Sequence, residues 1–305
     1  MTTTLLHLVS WTHGAVHAEC RDAYNQYSRD LDAHYAAYFA AHPEERGTHL
    51  RQATDLQRAL PPGWEHLADD LPERVRHVHH LSGRSSQVLA LAVLGASARL
   101  DPGLDWLFEA LSPLPPSDSP LVPPQFEHEL PQEALNEQLP RVTSIDFLVQ
   151  TSKLVVCTEA KRGEDGMGRC SCLPAGAPKV AGCSQKVLDR PLYWRAAYDL
   201  FGMPDRAPGK PCPVSLGYQA IRSVAAARYL ATGGRKPVFG LVYDSENPYF
   251  KQTGTWPGWP QVLEHTMHGQ DDQIRFRAVS WQELLPLLPV DDEFRLWLRE
   301  KHRLS

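Results

Sequence analysis

No run in the 305 residues approaches the roughly 20 consecutive apolar positions that a membrane-spanning helix needs, so no such span is expected. The opening stretch MTTTLLHLVSWTHGAVHAEC has no basic leader, and His7 and His13 interrupt its short apolar run. No signal peptide is read there, and a cytoplasmic location is the expectation. The six cysteines include no C-x2-C pair, the spacing that structural zinc prefers. Cys170, Cys172 and Cys183 fall instead in one loop-like segment, which fits metal ligation or chance better than a disulfide framework. Internal repeats and low-complexity tracts are also missing, which argues against a solenoid or a disordered chain. A general excess of positive charge is missing too: the net charge is -5.

The distribution of charge is less even than that total. From Lys161 to Lys236 there are 13 Lys and Arg against 5 acids, a surplus of +8 that leaves -13 for the rest of the chain. Such a basic block suits a protein that handles a polyanion, and a solvated face accounts for it equally well. Hydrophobic content of 42% and charged content of 22% are those of a globular chain long enough for one large domain.

Periodicity predicts helices over 18–41 and 51–76, with Tyr24, Tyr27, Tyr35 and Tyr38 forming a stripe on the first that reads as packing. His77, His79 and His80 form a polar connector. SSQVLALAVLGASARL (85–100) reads as a buried helix capped by Ser85 or Ser86. The prolines of 112–124 exclude regular structure there. Strands are expected at 125–131, 145–149, 154–160, 237–244 and 274–279, and helices at 189–201, 218–234 and in two short segments near the end. Trp256 and Trp259 in TWPGWP read as tryptophans packed at a turn. This order predicts an α/β fold: a mixed β-sheet core flanked by helices, behind a helical N-terminal extension over 1–80, with the main domain over 81–305.

The stretch SIDFLVQTSKLVVCTEAKR holds two apolar runs separated by QTSK, a turn of hairpin length. With residues 149 and 154 flanking the turn, Asp146 lies opposite Cys157 and diagonal to Glu159, about 7–8 Å away between Cα atoms. Side chains alternate along a strand, so Glu159 and Lys161 share that face. Two carboxylates held together repel unless a cation lies between them, and Mg2+ suits oxygen ligands. Lys161 is then placed to orient or deprotonate a water. The competing reading of Glu-x-Lys by itself is a surface salt bridge on an exposed strand end.

Asp146, twelve residues, then Glu159-Ala160-Lys161 resembles the core of the PD-(D/E)XK nuclease superfamily. SSQVLALAVLG, FEHEL, RVTSIDFLV, TEAKR, PLYWRAAYDLFG, YQAIRSVAAA, FGLVYDSENPYF and SWQELLPLL together are similar to a bacterial restriction-endonuclease-like family over roughly residues 80 to 290. The resemblance implies a metal-dependent nuclease that hydrolyses phosphodiester bonds in DNA, leaves a 5'-phosphate, and acts in defence or repair. A non-catalytic nucleic-acid-binding module on the same fold is the alternative. Asp146 and Glu159 become ligands of Mg2+ or Mn2+ and Lys161 the catalytic lysine. Glu127 resembles an auxiliary acid, although Glu129 shares its face and the choice stays open.

Gln219 falls where related nucleases place a polar residue near the active centre. Arg222, one turn on, and Arg162 become candidates to meet a phosphate of nucleic acid. Ile145 stands where the superfamily's proline would be. Cys170, Cys172, Cys183 and Cys212 resemble loop cysteines that hold an iron–sulfur cluster in some of these nucleases. A zinc ion or a cluster there is therefore an expectation, beside free thiols. A homodimer is a further possibility that the resemblance carries.

Overall fold

Apolar runs separated by turn residues give five strands: β1 (Gln125–Glu129), β2 (Ser144–Gln150), β3 (Leu154–Lys161), β4 (Lys236–Tyr243) and β5 (Arg275–Ser280). The computed structural model describes residues 8, 11–46, 52–76, 84–111, 119–137, 142–168, 192–203 and 216–304. The strands form one sheet in the order β1-β2-β3-β4-β5. β1, β2 and β3 pair antiparallel, whereas β3, β4 and β5 run parallel. β3 is bonded on both sides and buried along its whole length, which explains its nearly unbroken apolar sequence.

Helices cover both faces. On one, Leu148, Val155, Cys157, Phe239 and Leu241 pack with residues of α1 (His13–Ala41), α5 (Tyr193–Asp199), α6 (Tyr218–Leu230) and α7 (Trp259–Met267). On the other, Phe147, Val149, Val156, Val238 and Val242 meet α2 (Ala53–Ala59), α3, α4 (Asp105–Ala110), α8 (Trp281–Leu284) and α9 (Asp292–His302). Here α3 is one continuous helix made of Ser86–Ala90, a π-helical turn Leu91–Gly95, and Ala96–Leu100. Neighbouring residues of β3 and β4 thus divide between the two cores, as strand alternation demands.

The mixed α/β architecture is the expected one, with local differences. The helix expected over 51–76 stops at Ala59, because Pro61, Pro62 and Gly63 (φ 82°) cannot continue it. Two short 3-10 turns, Glu65–Asp70 and Glu73–Val75, follow. α7 was not anticipated: Trp259 and Pro260 open a helix instead of closing a turn. Trp256 and Trp259 are buried against each other, ring centroids 5.4 Å apart.

The tyrosine stripe of α1 is packing. Tyr24 and Tyr27 donate to the carbonyls of Gly163 and Arg162, at 2.7 and 3.0 Å, and Tyr35 meets His302 at 3.0 Å. The first helix is thereby fastened to the loop after β3 and to the end of α9. His77, His79 and His80 lie outside the described residues.

Candidate active site

The β2–β3 turn is tighter than its sequence suggested. Thr151 N donates to Leu154 O (2.9 Å), and Thr151 Oγ1 accepts from the backbone N–H of both Lys153 (3.2 Å) and Leu154 (2.9 Å). The resulting register pairs Leu148 with Cys157 and Phe147 with Thr158, two residues from the expected one. A shift of two leaves every side chain on its face. Continued one step, it brings Asp146 level with Glu159 rather than Cys157. There the Asp146 carboxylate itself accepts from the backbone N–H of Ala160 at 2.8 Å.

On the other side of β2, the pairs Phe126–Phe147 and His128–Ile145 set Glu127 level with Asp146. Glu127 interrupts that ladder with a φ of 46°, a left-handed conformation rare outside glycine. Three carboxylates consequently stand abreast on β1, β2 and β3. Glu129 is instead at the exposed strand end, paired with Arg74 at 2.9 Å.

Each of these acids is held by a different neighbour. Lys161 Nζ donates to Glu159 Oε1 at 2.6 Å, and Ser223 Oγ donates to Oε2 at 3.0 Å. Gln87 Nε2 donates to Glu127 Oε1 at 2.6 Å while also bonding the Val75 carbonyl at 3.0 Å, and Ser144 gives Glu127 a second bond. Glu159 and Lys161 are each only 3% exposed, so a solvated surface salt bridge does not describe the pair. Asp146 and Glu127 keep partial contact with solvent, which marks the approach to the site.

Enclosure, followed by the charges of Glu159 and Glu127, pushes the Asp146 carboxyl well above its ordinary pKa. Glu127 is raised chiefly by burial, against the hydrogen bonds from Gln87 and Ser144. Burial alone would lower Lys161, but the charges of Glu159, Glu164 and Asp146 outweigh it and raise the ammonium's pKa.

A divalent cation fits this donor set, since the ligands are hard oxygens and Asp146 is disfavoured as an anion until positive charge arrives. Asp146 and Glu159 are the natural pair. Taking one oxygen from each acid, Glu127, Asp146 and Glu159 do not all lie within 4.8 Å of one another, so the three do not converge on one point as they stand. Among the described residues, donor atoms that close do occur in His42, Glu44 and Glu45, at the end of α1, where Glu45 already takes Lys301 at 2.9 Å.

α6 supplies the helical wall. Gln219 N donates to the Met167 carbonyl (3.0 Å), and its side chain lies against Gly168, where a Cβ would come within 2.2 Å of the amide oxygen. One turn further, Ser223 bonds Glu159, whereas Gln219 was the polar residue expected near the acids. Arg222 turns aside: its Nε is 2.8 Å from Thr143 Oγ1 and 3.2 Å from the buried carboxylate of Glu137. It is a structural ion pair rather than a free phosphate contact.

Arg162, the second expected phosphate contact, follows Lys161 just past β3 and is fully enclosed, with Asp244 at 3.8 Å. Ser223, Gln87 and Ser144 escaped sequence reasoning because small neutral side chains on helices and strands carry no motif. The spacing of Ser223 four residues after Gln219 was the one available signal. Cys170, Cys172, Cys183 and Cys212 lie outside the described residues, while Cys20 and Cys157 are buried free thiols.

Helical layers on both faces of a mixed sheet, with acids and a lysine gathered where an antiparallel pair ends, define a restriction-endonuclease-like fold of PD-(D/E)XK type. The chain belongs to the family described as Restriction Endonuclease associating with ARP, whose model matches residues 29–301. That match begins within α1 and ends within α9. Comparisons with curated proteins and with solved structures return no match. Nuclease chemistry is the activity class of this family, and DNA is the substrate that its description implies.

Proposed function

We propose that the protein is a Mg2+- or Mn2+-dependent deoxyribonuclease that hydrolyses phosphodiester bonds at the ends of β2 and β3, in defence or repair. The observation that supports this most directly is the grouping of Asp146, Glu159 and Lys161, with Lys161 2.6 Å from Glu159 and the Asp146 carboxylate 2.8 Å from the backbone N of Ala160, between them. When bound by Asp146 and Glu159, the cation would lower the pKa of a water and offset charge gathering on the phosphate. Lys161, kept as an ammonium by its acid neighbours, orients the water and stabilises a phosphate oxygen. Ser223 fixes Glu159, and Gln87 fixes Glu127, so the acids keep their positions as substrate arrives. An association with ARP, in the words of the family's description, and a cytoplasmic setting complete the proposal.

Plasmid and single-stranded DNA offered with Mg2+ or Mn2+, and in parallel with EDTA, test the reading. Cutting is expected only with the metal, and it should vanish in Asp146→Ala and Lys161→Ala. Cutting that survives either substitution overturns the assignment. DNA binding without cutting under any divalent ion would make the protein a non-catalytic binding module.

A further inference from the structure

Arg162 and His302 are both fully buried, and both line one cavity of about 760 Å³ that the catalytic acids do not enter. It lies between α1, the ends of β3 and β4, the start of α8 and the last residues of α9. Arg162 Nη2 donates to the His302 carbonyl. Its Nε and Nη1 have no hydrogen-bond partner among the described residues, and the nearest carboxylate to Nη1, that of Asp244, is 3.8 Å away. His302 Nε2 also lacks a partner among the described residues, while Nδ1 is 3.0 Å from the Tyr35 hydroxyl. With that hydroxyl donating, Nε2 carries the ring proton and becomes a third unused donor.

The acids of the same cavity are already served. Asp244 accepts from Gln282 Nε2 (2.8 Å) and the backbone N–H of Glu246 (3.0 Å), and the Tyr27 hydroxyl, whose single proton it shares with the Arg162 carbonyl, is 2.9 Å away. Asp30 takes the Gln26 amide at 2.6 Å, and Glu246 takes Lys251 at 3.1 Å. What remains over is a set of donors, one of them cationic, in the wall of a space large enough for a small molecule. Buried donors without acceptors are costly, and a ligand that supplies oxygen lone pairs removes that cost.

We infer that this cavity is an oxyanion site for a phosphate group, held by Arg162 and His302 with the exposed Arg303 at its mouth. The phosphate is either free, as inorganic phosphate or a mononucleotide, or part of a DNA backbone. Arg162 follows the last residue of β3, and neither Lys161 nor its acids line the cavity. The inference stands whether or not the nuclease reading does.

Titration of the full chain with inorganic phosphate, followed by calorimetry and 31P NMR against chloride at matched ionic strength, tests it. Saturable binding and a higher melting temperature are expected. Arg162→Met should abolish binding. Because a buried arginine can be needed for folding, Arg303→Gly is the second variant. Its φ of 49° is one that glycine adopts freely, and it should weaken binding at least about fivefold without altering the fold. Asp146→Asn should bind phosphate as the wild type does.

No saturable binding, undiminished binding in Arg303→Gly, or loss of binding in Asp146→Asn would each overturn the site. A short DNA duplex that displaces phosphate identifies the backbone as the source. If phosphate and a mononucleotide bind but the duplex does not compete, the ligand is the free anion.

Discussion

Ser223 Oγ lies 3.0 Å from Glu159 Oε2, a bond that ties α6 to the central strand. Removing a group that orients a metal-binding carboxylate typically costs 10–100-fold in metal affinity or activity. Ser223→Ala should therefore lose about tenfold or more in cleavage at limiting Mg2+, with its circular dichroism and melting unchanged. Ser223→Thr, which keeps the hydroxyl, should recover most of it. Equal activity of Ser223→Ala and wild type across a Mg2+ titration would show the bond to be incidental.

Arg222 is expected to matter for stability and not for DNA. Its partner Glu137 has a side chain only 1% exposed, and removing one member of a buried ion pair costs about 3–5 kcal/mol. Arg222→Gln should lower the unfolding free energy by an amount of that order. The double variant Arg222→Gln/Glu137→Gln should recover part of it. The salt dependence of DNA binding should stay the same. A shallower salt slope in Arg222→Gln would mean that the arginine meets phosphate after all.

Glu127 should separate activity from stability. Its φ of 46° costs an L-residue about 1 kcal/mol or more, and glycine escapes that cost. Glu127→Gly should melt no lower than wild type while cleaving more slowly. Asp146→Asn, which removes a member of the inner pair, should lose at least about 10²-fold in activity. Urea titration and initial rates on the same preparations check both statements.

The His302 imidazole predicts an acid limit to stability. Burial first, then the charges of Arg162 and Lys301, hold its pKa well below the ordinary 6.5. In the window below 6.5 the unfolded chain takes up a proton that the native chain refuses. Stability is then fully present above that pH and declines as pH falls toward the lowered native value. His302→Gln should flatten this part of the stability–pH curve. A wild-type curve that is already flat between pH 6.5 and 5 would rule out a buried neutral histidine.

Strands were legible because β2, β3, β4 and β5 are apolar runs bounded by turn residues. Alternation alone was the ground for expecting Asp146, Glu159 and Lys161 on one face. Register was legible only to within two residues, since Thr151 draws the turn tighter through side-chain bonds that no periodicity reports. The break after Ala59 was written in Pro61-Pro62-Gly63, where helical spacing in the neighbouring residues obscured it. Arg222 was misplaced for a different reason: a sequence gives a charge but not its buried counter-charge, here Glu137. Ser223 could be located only once α6 lay against β3.

The Trp281 indole N–H donates to the Lys161 carbonyl at 3.0 Å, from a ring that is 1% exposed. A fluorophore is thereby wired to the backbone of the lysine. Fluorinated tryptophan at that position would give a resonance whose shift follows occupation of the centre, so ligand entry becomes observable in protein that performs no turnover.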